Sequence, residues 1–194
     1  MPRILAFAGS ARRDSLNKKL IRAAAEYARA AGAEVTLIDL DEYPMPLYHG
    51  DLEAERGMPE NAMKLRELFL AHDALLIASP ENNSSVTALL KNTIDWLSRD
   101  IGDGKGANSG LAPYRGKIAA IMGATPGAFG TARGSLPHLR QILSVLGVTV
   151  LGAQAAVPHA DKVFDDAGAI RDERVVRAVQ SLAAALVEMA RKLA

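Results

Sequence analysis

Five short, nearly unbroken apolar runs punctuate this chain, at Ile4–Ala8, Val35–Leu40, Ala74–Ser79, Ile118–Gly123 and Val148–Ala153. A strand with one wet face alternates apolar and polar residues, whereas a run without alternation reads as a strand covered on both faces, as in a parallel sheet. Parallel neighbours need long crossovers, and helix-period segments fill the gaps. Leu16, Leu20, Ala24, Tyr27 and Ala31 mark the first helix, ended by Gly32; Pro59-Glu60 opens the second, which carries Met63, Leu65, Leu68 and Phe69. The third begins near Ser85, with Leu90, Ile94 and Leu97 on one stripe. The fourth holds Leu136, Leu139, Leu143 and Leu146 with Pro137 in its first turn, and the last runs from about Asp172 through Val175, Val179, Leu182, Leu186 and Met189. Strand and helix alternating five times over predict an α/β fold, a doubly wound parallel sheet in one domain spanning residues 1–194.

Ligands of such sheets bind beyond the carboxyl ends of the strands, which selects the loops Gly9–Asn17, Pro80–Ser85 and Gly123–Gly130. In a sheet ordered 2-1-3-4-5, strands one and three meet at the switch point, so the first two loops line one crevice. Gly9–Asn17 joins a buried strand to a helix N-terminus, where free N–H groups and the helix dipole favour an anion. Ser10, Ser15 and Asn17 add hydrogen-bond donors and Arg12 adds a charge-assisted one, a set suited to a phosphate. A Gly-Ser turn with a Ser or Asp helix cap has the same composition without any ligand, and from the loop alone both stand open. No G-x-G-x-x-G follows the first strand and no G-x-x-x-x-G-K-[ST] occurs, so neither a dinucleotide fingerprint nor a P-loop is present.

Other chemistries are disfavoured. Without cysteine there is no disulfide, no thiol nucleophile and no cysteine-held metal, so redox chemistry here needs a bound cofactor. A net charge of +1 without a basic run argues against nucleic acid or an acidic membrane as partner. The apolar stretch after Arg3 is too short for a secretory signal and no run reaches the ~20 residues of a membrane helix, so a cytoplasmic protein is expected. His49, His72, His138 and His159 are dispersed without metal-ligand spacing, and no G-x-S-x-G elbow accompanies Ser10. Asp39 reads as a strand-end cap, Lys91 and Asp95 as a helical pair, and Trp96 as core or subunit contact. Two connections are irregular. Asp41–Pro59, with Tyr43-Pro44-Met45-Pro46-Leu47-Tyr48, suggests core cover or a subunit contact, and the glycine-rich Asp100–Arg115 a flexible excursion or a lid.

Taken together, the loops carry a wider pattern. Gly9–Asn17 matches G-S-x-R-x-x-S-x-N, Pro80–Ser85 matches P-E-Y-N-x-S apart from Asn82, and Leu90–Ser98 matches L-K-N-x-I-D-W-x-S. Gly130–Arg133 matches G-T-A-R and leads to H-L-R-Q-x-L at His138–Leu143. This resembles the NADPH-dependent FMN reductase family, flavodoxin-like proteins that include quinone, chromate and azo-dye reductases. The resemblance implies a five-stranded sheet ordered 2-1-3-4-5 between two helix layers, and bound FMN reduced by NADPH or NADH. By position, Ser10, Arg12, Ser15, Leu16 and Asn17 would hold the 5′-phosphate; Pro80, Glu81, Asn82, Asn83 and Ser84 would border the ring system; and Gly123, Ala124 and Thr125 would approach its other edge. Arg133 would meet a cofactor phosphate or make a fold-stabilising ion pair.

Hydride transfer between stacked rings needs no side-chain acid or base, so no catalytic residue and no metal is expected. The chain departs from the family at Asn82, which stands where a tyrosine is usual, and at Thr87-Ala88, which replace Pro-Gly. What the resemblance implies is an FMN-dependent NAD(P)H oxidoreductase acting on a small-molecule acceptor, and a homodimer or homotetramer. The alternatives are a flavodoxin-like electron carrier, which the near-neutral charge disfavours, and a flavin-binding interaction or sensor protein with little turnover.

Overall fold

The apolar runs become strands of one parallel sheet. The computed structural model describes residues 1–129 and 131–193. In chain order the elements are β1 (Arg3–Ala8), α1 (Leu16–Ala30), β2 (Glu34–Asp39), α2 (Gly50–Arg56), α3 (Glu60–Ala71), β3 (Ala74–Ala78), α4 (Ala88–Leu97), α5 (Ala107–Leu111), β4 (Ile118–Ala124), α6 (Ser135–Val145), β5 (Thr149–Val150), β6 (Ala155–Val157) and α7 (Glu173–Leu193). The strand order is β2-β1-β3-β4-β5, every pairing is parallel, and β6 also pairs with β4. Among the described residues no helix is long and apolar enough to cross a membrane.

Strand alternation sorts the buried residues into two unlike cores. Ala6, Ala8, Ala74, Ala78, Ala120 and Ala124 face Ala24, Ala25 and Ala28 of α1 and Ala183 and Ala190 of α7. Small residues on both sides let these two helices lie close to the sheet. The opposite face presents Leu5, Phe7, Leu75, Ile77 and Ile121 to α3, α4 and α6. There the Phe69 ring lies 5.6 Å from Phe7 and 5.5 Å from Tyr114. Emptying such a site costs about 3–5 kcal/mol, so this face supplies most of the shape-specific packing.

Two strands depart from the expectation of runs covered on both faces. At the sheet edge, β2 is only half covered, and its Leu37 is 36% exposed. The run Val148–Ala153 forms the ladder only at Thr149–Val150, and pairing resumes at Ala155–Val157, shifted by two residues relative to β4. The Arg140 guanidinium bridges this bulge by donating to the carbonyls of Val150 (3.2 Å) and Leu151 (2.7 Å) and to Gln154 Oε1 (3.1 Å).

Both irregular connections are docked. Pro46 O accepts from the Trp96 indole N–H (2.8 Å) and from Asn92 Nδ2 (3.0 Å), while Asn92 Oδ1 takes the Tyr48 N–H (2.8 Å). One turn of α4 thereby fastens the proline-rich strap, which serves as core cover. Tyr48 donates to Glu53 of α2 (2.9 Å), and this bond raises the phenol above its ordinary pKa. In the glycine-rich connection, buried Arg66 donates to Ser109 O at 2.6 Å, Gly110 packs against the Ser98 carbonyl, and Tyr114 is fully buried.

Candidate active site

The loop after β1 gathers hydrogen-bonding side chains at the N-terminus of α1. Gly9 N–H continues the ladder to Ala78 O (2.9 Å), and a Cβ on Gly9 would lie 2.9 Å from Leu90 Cβ, so only glycine lets α4 approach. Ser15 caps α1, its Oγ accepting from the Asn17 N–H at 3.2 Å, and the first turn of α1 holds no acidic residue to offset its positive end. Ser10 Oγ accepts from the Arg12 N–H (3.3 Å). Ser10, Ser15 and Asn17 are buried while Arg12 is exposed at the rim.

Asn17 does something its loop does not announce. Its Nδ2 donates to Ala124 O (2.8 Å) and its Oδ1 accepts from the Ala124 N–H (2.9 Å), so the amide behaves as one more peptide group and ties the first loop to the end of β4. One Nδ2 hydrogen is left over for a ligand. On the outer side of the same loop, Asp39 accepts from the Asp41 N–H (3.1 Å) and pairs with Lys18 (2.6 Å), a strand-end cap.

After β3, residues 82–85 close a tight reverse turn. Asn82 and Ser85 exchange two backbone hydrogen bonds of 3.0 Å, with Asn83 at φ 50° and Ser84 at φ 60° between them. This turn delays α4, which begins at Ala88 rather than near Ser85. Its N-cap is Thr87, whose Oγ1 accepts from the Leu90 N–H (3.2 Å) and donates to Gly9 O (2.5 Å). Where the family pattern has Pro-Gly, this chain therefore has a cap that also holds the first loop.

Glu81 lies at the cavity but spends its charge elsewhere. Its Oε2 accepts from the Ser135 N–H at 2.9 Å, capping α6, which has no side-chain cap from its own residues. The approach is close: a Cβ on Gly134 would lie 2.7 Å from both Ser84 Cα and Glu81 Oε2. Behind it the hydroxyls of Ser79 and Ser135 meet at 2.6 Å, both fully buried. Near the end of β4, Gly123 admits buried Thr131, which holds φ 73°, and a Cβ on Gly123 would be 2.6 Å from Ser79 O. Thr125 N–H reaches Val157 O (3.1 Å), which explains why the second half of the broken edge strand matters here. Gly130 of the G-T-A-R match lies outside the described residues.

These loops enclose one cavity of about 350 Å³, lined among others by Ser10, Arg12, Ser15, Leu16, Asn17, Pro80, Glu81, Asn82, Ala124 and Thr125. Asn83, Ser84 and Gly123 shape the turn and the β4 end rather than its wall. Thr87, Ala88, Leu89 and Pro126 also line it; of these, a Thr just ahead of an apolar helical stripe is a legible cap signal. A larger groove of about 750 Å³ between α4 and α6 adjoins it, sharing Asn82, Thr87 and Ala88. Among the described residues, none of Asp100–Arg115 lines the cavity. Among the described residues, no group of three or more His, Cys, Asp or Glu is placed to hold a metal.

Comparison with known proteins places this geometry among relatives. The family model for NADPH-dependent FMN reductases matches residues 2–162. The chain is 36% identical to an NAD(P)H-dependent FMN reductase of Pseudomonas aeruginosa, over 98% of this chain and 96% of the relative. It is 34% identical to a quinone reductase of Pseudomonas putida, over 85% of this chain and 82% of the relative. In structure it is similar to a flavoenzyme NAD(P)H:(acceptor) oxidoreductase from Paracoccus denitrificans, with TM-score 0.81, 27% identity, and 99% of this chain and 98% of that one covered.

Proposed function

Because the chain belongs to the NADPH-dependent FMN reductase family, we propose that the cavity beyond β1, β3 and β4 is its FMN site and that quinones or similar small acceptors are reduced there. It is an FMN-dependent NAD(P)H oxidoreductase. The observation that carries the site assignment is the donor chemistry of the cavity: hydroxyls, N–H groups and a guanidinium line the phosphate end, and among the described residues the one carboxylate on the wall, Glu81, is turned onto α6. A phosphate dianion there meets a positive charge and no negative one on the wall beside it.

FMN, when bound, supplies a ring system that takes a hydride from nicotinamide and passes reducing equivalents on. The residues of the chain hold and aim it. Ser10, Ser15, Arg12 and the first N–H groups of α1 take the phosphate, with Leu16 and Asn17 completing the turn. Asn17 keeps the Ala124 and Thr125 backbone at a fixed distance from that phosphate site. Pro80, Glu81 and Asn82 border the ring through backbone, set by the Asn83-Ser84 turn, and Gly123 leaves room for the β4 end to settle. No side chain is assigned a proton transfer, since solvent reaches the open rim. With Asn82 in place of tyrosine, one wall is polar and short, which leaves the ring face wider toward the groove between α4 and α6.

That groove mixes apolar Ile94, Ile142, Val145 and Leu146 with the Lys91–Asp95 pair (2.7 Å). Its apolar floor and charges of both signs favour self-association, and we propose a homodimer or homotetramer, testable by light scattering of the purified protein. The functional assignment is tested by adding FMN to the protein, removing free flavin, and following NADPH or NADH oxidation with a benzoquinone acceptor. Turnover that needs both flavin and quinone supports it. Protein that retains no flavin contradicts it.

A further inference from the structure

The groove between α4 and α6 is polar at the end that opens into the cavity and apolar at the other. Both helices start at the carboxyl end of the sheet, so their first turns stand at the cavity, while Val145 and Leu146 lie about 10 Å further along α6. That apolar end is the part suited to self-association. The polar end carries His138, on the first turn of α6, whose ring lines the groove. Its Nδ1 lies 2.8 Å from Ser85 Oγ. Ser85 is fixed in turn by the two 3.0 Å backbone hydrogen bonds it exchanges with Asn82, and Asn82 lines both groove and cavity. The turn that borders the cavity therefore also holds the imidazole.

With Nδ1 engaged by Ser85, Nε2 is left for a ligand. A serine hydroxyl donates as readily as it accepts, and when it donates to Nδ1 the neutral ring carries its proton on Nε2 and offers it to an oxygen. The neighbouring cation is already engaged: Lys91 Nζ lies 2.7 and 2.8 Å from the two carboxylate oxygens of Asp95. His72, by contrast, uses both ring nitrogens inside the fold, on Leu68 O and Thr36 Oγ1. When a quinone is reduced, two electrons and one proton arrive as hydride from the reduced flavin, which returns to its oxidised form. One quinone oxygen is left as an anion until a solvent proton completes the hydroquinone. A donor aimed at that oxygen favours the charge-developing transition state over the bound quinone. Resting on the FMN assignment above, we propose that the polar end of the groove is the acceptor subsite and that His138, positioned by Ser85, donates from Nε2 to a carbonyl oxygen of the acceptor. The subsite suits para-quinones, whose second oxygen projects past Asn82 from a ring lying over the flavin.

The test uses tetramethyl-1,4-benzoquinone, which has no ring hydrogen for a protein amine to displace. Oxidised, FMN-loaded protein labelled with ¹⁵N-histidine is titrated with it, and its reduction by NADPH is measured at steady state, for the natural chain, His138→Ala, His138→Gln and Ser85→Ala. In the natural chain the quinone shifts the His138 ring nitrogens toward the Nε2–H tautomer. His138→Ala weakens quinone affinity about threefold to tenfold and lowers kcat/KM further, by about tenfold to a hundredfold, because the lost bond matters most where charge develops. His138→Gln regains part of both. Ser85→Ala gives a smaller loss, with both tautomers populated in its nitrogen signals. Flavin affinity, read from fluorescence quenching, stays the same in all variants; a parallel fall in flavin affinity and turnover in His138→Ala identifies a structural role and overturns the proposal. Ring signals that ignore bound quinone overturn it, as does a natural chain that binds no quinone. Turnover that is unchanged in His138→Ala overturns it and leaves the reductase reading standing. Quinone bound through His138 in a protein that never oxidises NADPH supports it and counts against the reductase reading alone.

Discussion

At the scale of single residues, backbone conformation and pairing decide more than side-chain type. Ser84 holds φ 60° in a turn suited to Asn or Gly, a conformation costing roughly 1–2 kcal/mol for a residue with a Cβ. Ser84→Gly should therefore raise the thermal midpoint by about 2–4 °C while leaving flavin affinity unchanged, as scanning calorimetry and a flavin titration would show. Asn17→Ala has the opposite effect. It unpairs the Ala124 N–H and carbonyl, each costing about 1–3 kcal/mol when buried, so thermal stability and FMN affinity should fall together, the latter by tenfold or more. If Asn17→Ala loses affinity without losing stability, Asn17 is a ligand contact and not a tie. The sequence marked Asn17 as a member of the phosphate loop. It did not reveal the tie, because Ala124 is 107 residues away and only the completed sheet brings them together. Glu81 and Ser135, 54 residues apart, were hidden for the same reason.

At the scale of elements, what was legible followed hydrophobic period. The long helices α1, α3, α6 and α7 and strands β1, β3 and β4 stand close to where their apolar patterns put them. Misses came where structure depends on contacts instead. The seven-residue α2 buries no residue of its own, so it has no apolar stripe to read, and α5 has only five residues. The edge strand breaks at a bulge that Arg140 bridges from another element, and α4 starts late because two residues in left-handed conformation precede it. The Leu90–Ser98 motif reads as helix in sequence; its Asn92 and Trp96 prove to be fasteners of the 41–59 strap. Trp96→Phe removes one N–H donor and part of a fully buried ring. It should cost about 2–3 kcal/mol and speed proteolysis within residues 41–59, leaving flavin binding intact. A structural coupling of another kind joins the β3 loop to α6. Gly134→Ala places a methyl where Glu81 and Ser84 already stand, which should shift the turn and weaken FMN binding about tenfold or more at little cost to secondary structure by circular dichroism.

For the whole molecule, the strand order does the selecting. Because β1 lies between β2 and β3, and β4 follows β3, the three loops with unusual chemistry meet at one end of the sheet. Family membership assigns the electron chemistry to FMN, which the proposed function seats at that end of the sheet. The measurement that tests this most directly is an absorption spectrum of the flavin-loaded protein under anaerobic conditions, before and after one equivalent of NADPH, in the natural chain and in a variant carrying Ser15→Ala with Arg12→Ala. The structure predicts flavin bands that bleach in the natural chain and no retained flavin in the variant; full retention and bleaching in the variant would contradict the assigned phosphate site and the account built on it.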